Sequence, residues 1–261
     1  PLVLFSRVAV GASANELGGA GGPLAVYLIA IVATEIGKLV SKETKVDILV
    51  TPAVTLIMGG IGAKLIGPAI GWCMLKLGDL IMTATEWQPF LFGIVISVVV
   101  GLALTAPISS AALCIMLDLS GLAAGAATVG CCAQMVGFAV ASYKENGVGG
   151  LVAQGLGTSM LQISNIIKNP WILLPATLAG AIVGPISTCL LKMTNIPVGA
   201  GMGTSGLVGQ IGTFTDMGFT LDTLWKVLLI QIVLPAVLTI LMDQVLRRTG
   251  KIKEGDYKLD L

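Results

Sequence analysis

Six stretches, 23–41, 48–70, 88–106, 119–142, 170–191 and 223–246, each hold about the 20 apolar residues that a helix needs to cross a bilayer. Charge is scarce: 11% of residues are charged and the mean hydropathy is +0.95, where a soluble domain carries roughly 25% charged residues. A water-facing surface would need more charge than this, whereas a wall facing lipid would not. The expected architecture is all-α, a polytopic membrane helix bundle in the cell membrane, surrounded by lipid. A seventh stretch, 148–166, is a weaker candidate span because Gln154, Ser159, Gln162 and Ser164 interrupt it. Trp72, Trp87, Trp171 and Trp225 fall at predicted span ends, where aromatic belts form.

Basic residues orient the bundle, since cytoplasmic loops are enriched in Lys and Arg. Arg247, Arg248, Lys251, Lys253 and Lys258 predict a cytoplasmic C-terminus, and Lys38, Lys42 and Lys45 a second cytoplasmic loop. Lys76, Asp79 and Glu86 suit an outside loop at 71–87. Threading from these anchors sends 48–70 outward, 88–106 inward, 119–142 outward, 148–166 inward, 170–191 outward and 223–246 inward. Residues 1–246 then form one membrane transport domain and 247–261 a basic cytoplasmic tail. The chain opens at Pro1, and its first 22 residues lack the basic-then-apolar order of a signal peptide. An upstream segment is therefore expected, and the number of N-terminal spans stays open.

Three stretches rich in small residues fit no simple span: 8–22, 107–130 and 194–217. Non-helical backbone at membrane depth survives only against protein or a watery cavity, so these read as broken helices or re-entrant hairpins. Transporters build their substrate sites from such segments. Shifting the sequence by 78 places Pro107-Ile108-Ser109 on Pro185-Ile186-Ser187, Leu113 on Leu191, Gly121 on Gly199 and Gly125 on Gly203. The helices leading into the two prolines run in opposite directions in the threading. This suggests an inverted repeat, against the plainer reading of ordinary small-residue helix packing.

Several chemistries are excluded. A net charge of +1 gives no field for nucleic acid. Histidine is absent and the five cysteines lie in apolar stretches without a CxxC pair, so no metal site or cofactor is expected. No Walker loop, GxSxG elbow or HExxH motif occurs, so the chain is not expected to catalyse a reaction alone. Glu35, near an inner span end, reads either as functional or as an interfacial partner of Lys38.

Neutral donors and acceptors gather in the broken stretches: Asn195, Thr204, Ser205 and Gln210 in the third, with Gly201 allowing close approach to the backbone. Ser109, Gln134 and Ser187 extend this lining, and Asn15 and Glu16 offer an amide and a carboxylate to polyol hydroxyls, unless they form an exposed loop. This set favours a small, neutral, hydroxyl-rich solute over an anion, which would want Arg or Lys at depth.

The run IPVGAGMGTSGLVGQIG at 196–212, PIST at 185–188 and PISSAALCIML at 107–117 resemble the phosphotransferase-system EIIC proteins, in the branch that includes the perfringolysin O regulator. The resemblance implies a sugar-permease membrane domain, usually a homodimer, whose partner EIIB phosphorylates the translocated sugar. The chain departs from glucose-type relatives in lacking a Gly-Ile-Thr-Glu motif and a site histidine, so their sugar-binding residues do not transfer. It also lacks a Cys-x-Thr-Arg motif, so a phosphoryl group would have to come from a separate EIIB. The expected function is a permease that moves a sugar-like solute by alternating access. The alternative is a membrane-embedded ligand sensor without net transport.

Overall fold

The computed structural model describes residues 22–41 and 47–259. Among these the chain is helical, with no strand and one isolated antiparallel bridge between Gly121 and Asn195. Its contacts divide it into two compact units, residues 1–78 and 79–261.

In the first unit, α1 (Gly22–Val40) packs against the first half of α2 (Asp47–Trp87). Ala25, Ile29, Ala33 and Ala63 form its core. Gly62 faces Ile29 and Gly37 faces Thr55, so the two helices run antiparallel. Glu35 pairs with Lys38 at 2.5 Å on the exposed surface, which is the interfacial reading of that residue. The 41 residues of α2 span about 61 Å at 1.5 Å per residue, about twice the thickness of a bilayer core. The outside loop expected at 71–87 is therefore a continuation of this helix, and Trp72 lies in its interior rather than at an end.

The second unit is built around α5 (Gly121–Ala141), whose Ala, Gly and Cys residues leave room for close neighbours on every side; all but a few of its side chains are buried. Against it pack α3 (Pro89–Thr105), α8 (Leu174–Pro185) and α12 (Leu234–Arg248). The Ser97 carbonyl of α3 sits directly on Gly130, where any Cβ would collide with it. Gly101 lies against Gly130 and Gln134, and Thr105 reaches Gln134. Residue numbers rise together along both helices, so α3 and α5 are parallel. Gly180 lies near Gly130 and Gly137 near Ala176, so α8 runs the other way. Thr239 abuts Gly137 and Arg247 bonds the Ala141 carbonyl, so α12 runs with α5.

Parallel neighbours this close in sequence require the chain to return between them. Residues 106–120 do so, through the short α4 (Ser110–Met116), and bring Ser120 back to Met82 at the end where α3 begins. The expectation that 119–142 runs opposite to 88–106 is corrected by this return. Stretch 148–166 also departs from a simple span. It belongs to α6 (Tyr143–Val152), a π-helical turn at Ala153–Gly157, an extended break at Thr158, a 3₁₀ turn at Ser159–Gln162 and α7 (Ile163–Lys168). Asn146 and Gln162, on opposite limbs, both donate to the Tyr257 carbonyl, and Asn165 donates to that of Lys258. The segment is a hairpin whose limbs start and finish at the end of the bundle where α5 and α12 terminate.

A second hairpin enters from the other end. After α8 a π-helical turn, Ile186–Leu190, leads to an extended stretch, then α9 (Pro197–Ala200), a turn, and α10 (Val208–Met217). Thr194 N–H meets Met217 Sδ at its base. The chain then descends through α11 (Leu221–Val227), a π-helical turn at Leu228–Val233, and α12. Residues 249–259 fold back as an irregular strap. At the offset of 78, the start of α5 aligns with the turn and short helices of 199–208, so the paired stretches take different local structures. The helices feeding Pro107 and Pro185, α3 and α8, do run in opposite directions.

Candidate functional site

The two hairpins meet at their tips. Thr204 Oγ1 donates to the Gly155 carbonyl at 2.5 Å and lies 3.6 Å from Met135 Sδ, well inside α5. The end of α3 and the return that follows it join them: Thr105, the last residue of α3, places its Oγ1 2.8 Å from Ser159 Oγ and 3.3 Å from Gln134 Oε1. Ser110 Oγ donates to the Gly201 carbonyl at 2.6 Å. Three broken segments thus converge on the middle of one buried helix, through neutral groups.

Local sequence explains why the upper hairpin can turn there. Gly203 has φ +54° and rests on the backbone of Cys131 and Cys132, so a side chain would be both strained and in collision. Gly206 and Leu207 continue in the left-handed region. Asn195 holds the base: its Nδ2 donates to Thr128 Oγ1 at 2.6 Å and to the Gly209 carbonyl at 3.0 Å, while its Oδ1 accepts from Ile196 N–H.

Of the residues singled out from sequence, Gln134, Asn195, Gly201, Thr204 and Gln210 are buried and brought together along α5 and the upper hairpin. Gln134 Nε2 donates to Thr177 Oγ1 on α8. Gln210 Nε2 approaches Cys132 Sγ at 3.5 Å, and its Oε1 has no partner. Ser187 is buried in the π-helical turn after α8, also with an unpartnered hydroxyl. Ser205 is half-buried in the turn. Ser109 is exposed and caps α4 by accepting from Ala112 N–H, so the hydroxyl that enters the network is that of its neighbour Ser110. Asn15 and Glu16 lie outside the described residues.

Sequence reasoning missed Thr105, Gly155, Ser159 as a tip residue, and Gln231. Gln231 lies in the π-helical turn of LLIQIV, fully buried; its Nε2 donates to Thr213 Oγ1 at 3.0 Å, while its Oε1 has no partner. A single amide in an apolar run was the available signal. Buried polar atoms without partners are rare in folded proteins, and π-helical turns frequently mark functional positions. Among the described residues no group of acidic, Cys or His side chains is placed to hold a metal ion.

A family model described as Phosphotransferase system, EIIC matches residues 3–259. No curated protein and no solved structure matches the chain.

Proposed function

The chain belongs to the phosphotransferase-system EIIC family, and we propose that it carries a sugar-like, neutral polar solute across the membrane between its two opposed hairpins. The family and the apolar helices support a membrane permease of EIIC type. The observation that carries the mechanism is the contact of Thr204 with Gly155, which joins hairpins entering from opposite ends. Each hairpin then acts as a re-entrant gate, and parting the tips on one side at a time gives alternating access, the arrangement that broken segments serve in transporters.

The solute is assigned to the polar lining. Gln134, Thr204, Ser205, Gln210, Ser187 and the Gly201 backbone are proposed to bind it, with Asn195 keeping the hairpin base closed. The unpartnered carbonyls of Gln210 and Gln231 are acceptors, suited to hydroxyl donors. The reading names a hydroxyl-rich neutral molecule because, among the described residues, the bonds of this network are made by uncharged groups. Phosphorylation belongs to a separate EIIB protein, and the working form is a homodimer. The end carrying Lys144, Lys168, Arg247, Arg248, Lys251, Lys253 and Lys258 is assigned to the cytoplasm, since the opposite end of this unit offers only Lys192 and Lys226.

Uptake of labelled hexoses, pentitols and hexitols by proteoliposomes, with and without EIIB and a phosphoryl donor, tests the proposal. Phosphorylated product formed only with EIIB is the expected result. Uptake without the donor would leave a facilitator, and specific binding without flux under either condition would replace transport by sensing.

A further inference from the structure

The Gly155 tip is held in place by groups at the opposite end of its hairpin. The strap lays Tyr257 fully buried against Phe138, Ile172 and Ala176, its ring edge-on to Phe138. The Tyr257 carbonyl accepts from Asn146 Nδ2 at 2.8 Å and Gln162 Nε2 at 3.0 Å, one from each limb. Gln162 Nε2 also donates to Gln154 Oε1 at 3.0 Å, and Gln154 Nε2 donates to Ser142 Oγ at 2.7 Å. A continuous set of bonds therefore runs from the strap to the residue beside Gly155. Further along, Asn165 donates to the Lys258 carbonyl, and Leu259 N–H donates to Asn146 Oδ1.

A charged cluster fixes the other face of Tyr257. Its N–H donates to Glu145 Oε2 at 2.8 Å, and its hydroxyl donates to Asp243 Oδ1 at 3.0 Å. Arg247 bridges Asp243 and Glu145, with its guanidinium 5.3 Å from the Tyr257 ring centre. Burial, then the Asp243 carboxylate, push the Tyr257 phenol well above its ordinary value and keep it a donor.

Apart from these polar bonds, and those of Asn169 to the Lys251 carbonyl and Asp256, the strap has few apolar anchors. Ile252 and Tyr257 are its buried apolar side chains, and its backbone forms no regular element. Segments with few apolar anchors and exposed backbone open below the global unfolding free energy.

We propose that residues 249–259 are a latch on the 143–168 hairpin, with Tyr257 as its positioning residue. Seated, the latch holds Gly155 against Thr204; lifted, it releases both limbs together and frees the tip. The latch acts on the hairpin contact used in the transport reading but does not depend on the solute, so its test needs no transport.

Hydrogen exchange of the full chain in lipid nanodiscs, read by mass spectrometry, provides that test. Tyr257→Ala should accelerate exchange across 146–165 at least tenfold while α3, α5 and α8 keep wild-type protection. Tyr257→Phe retains the ring and every backbone bond of residue 257 and should restore slow exchange. The double variant Asn146→Ala/Asn165→Ala leaves Tyr257 in place and should loosen the same hairpin. Acceleration confined to 249–259, or spread evenly over the bundle, would overturn the latch. If Tyr257→Ala does not fold, the double variant decides alone, and unchanged exchange at 146–165 in it overturns the proposal.

Discussion

Asn195 and Thr204 lie nine positions apart in one glycine-rich run and hold it in different ways. Asn195 satisfies three groups, the Thr128 hydroxyl, the Gly209 carbonyl and Ile196 N–H. Replacing it by Leu strands Ile196 N–H, while Thr128 keeps its bond to the Ala124 carbonyl and the Gly209 carbonyl keeps that from Thr213. Asn195→Leu should lower stability by about 1–3 kcal/mol, the cost of a buried unsatisfied group. Thermal unfolding in detergent measures this. Thr204→Val removes one hydroxyl with little change of shape; it should cost about 1 kcal/mol and act mainly on solute flux. Gln231→Leu gives up its bond to Thr213 but also removes an acceptor without a partner. Its melting temperature should stay near wild type while solute binding weakens about tenfold, equivalent to about 1.4 kcal/mol; unchanged binding would remove Gln231 from the lining. The residue types were legible in the sequence because buried amides and hydroxyls stand out in an apolar chain. Their assignments were not, because whether a side chain caps, ties or recognises depends on partners distant in sequence. Ser109 shows this, as it caps α4 while Ser110 reaches Gly201.

Among elements, the buried helices were the legible part, and the direction of travel was not. Hydropathy reports how apolar a segment is but not whether it returns to the end where it entered. Stretch 148–166 has enough apolar residues to cross, and the polar residues that weaken it as a span, Gln154, Ser159 and Gln162, are those that tie its hairpin together. The sequence marked 107–130 as broken but not that residues 106–120 carry the chain back to the end where α3 begins, so the parallel pairing of α3 and α5 stayed hidden. That pairing depends on contact between backbones. Gly130→Ala would drive a methyl group into the Ser97 carbonyl, and α3 must then shift. A loss of about 1–3 kcal/mol, typical of overpacking, should appear as a lower melting temperature. The Thr105–Gln134 contact should loosen with it, since Thr105 lies on the displaced α3 and Gln134 on α5.

At the scale of the molecule, scarce charge was enough to announce a membrane protein, and glycine-rich runs pointed to broken helices because lipid-facing backbone cannot be left unbonded. The division into two units and the 41-residue α2 were not legible. Nothing in the composition of 71–87 separates a charged loop from a helix that has left the bilayer. Cys73 lies just past the apolar half of α2 and is exposed, whereas Cys114, Cys131 and Cys132 are buried. A membrane-impermeant maleimide should therefore label Cys73 in intact vesicles and spare those three. Protection of Cys73 on both faces until detergent is added would put 71–87 inside the hydrocarbon instead.

The strap also bears on how the protein is made. Asn146 and the Tyr257 carbonyl it bonds are 111 positions apart. At a synthesis rate of roughly 5–20 residues per second, the hairpin waits about 5–20 s for its anchors. During that interval its amides at 146, 162 and 165 must find water or transient partners. Biogenesis should therefore have an insertion stage, in which the hairpin is made but unseated, and a later closing stage timed by translation of the strap.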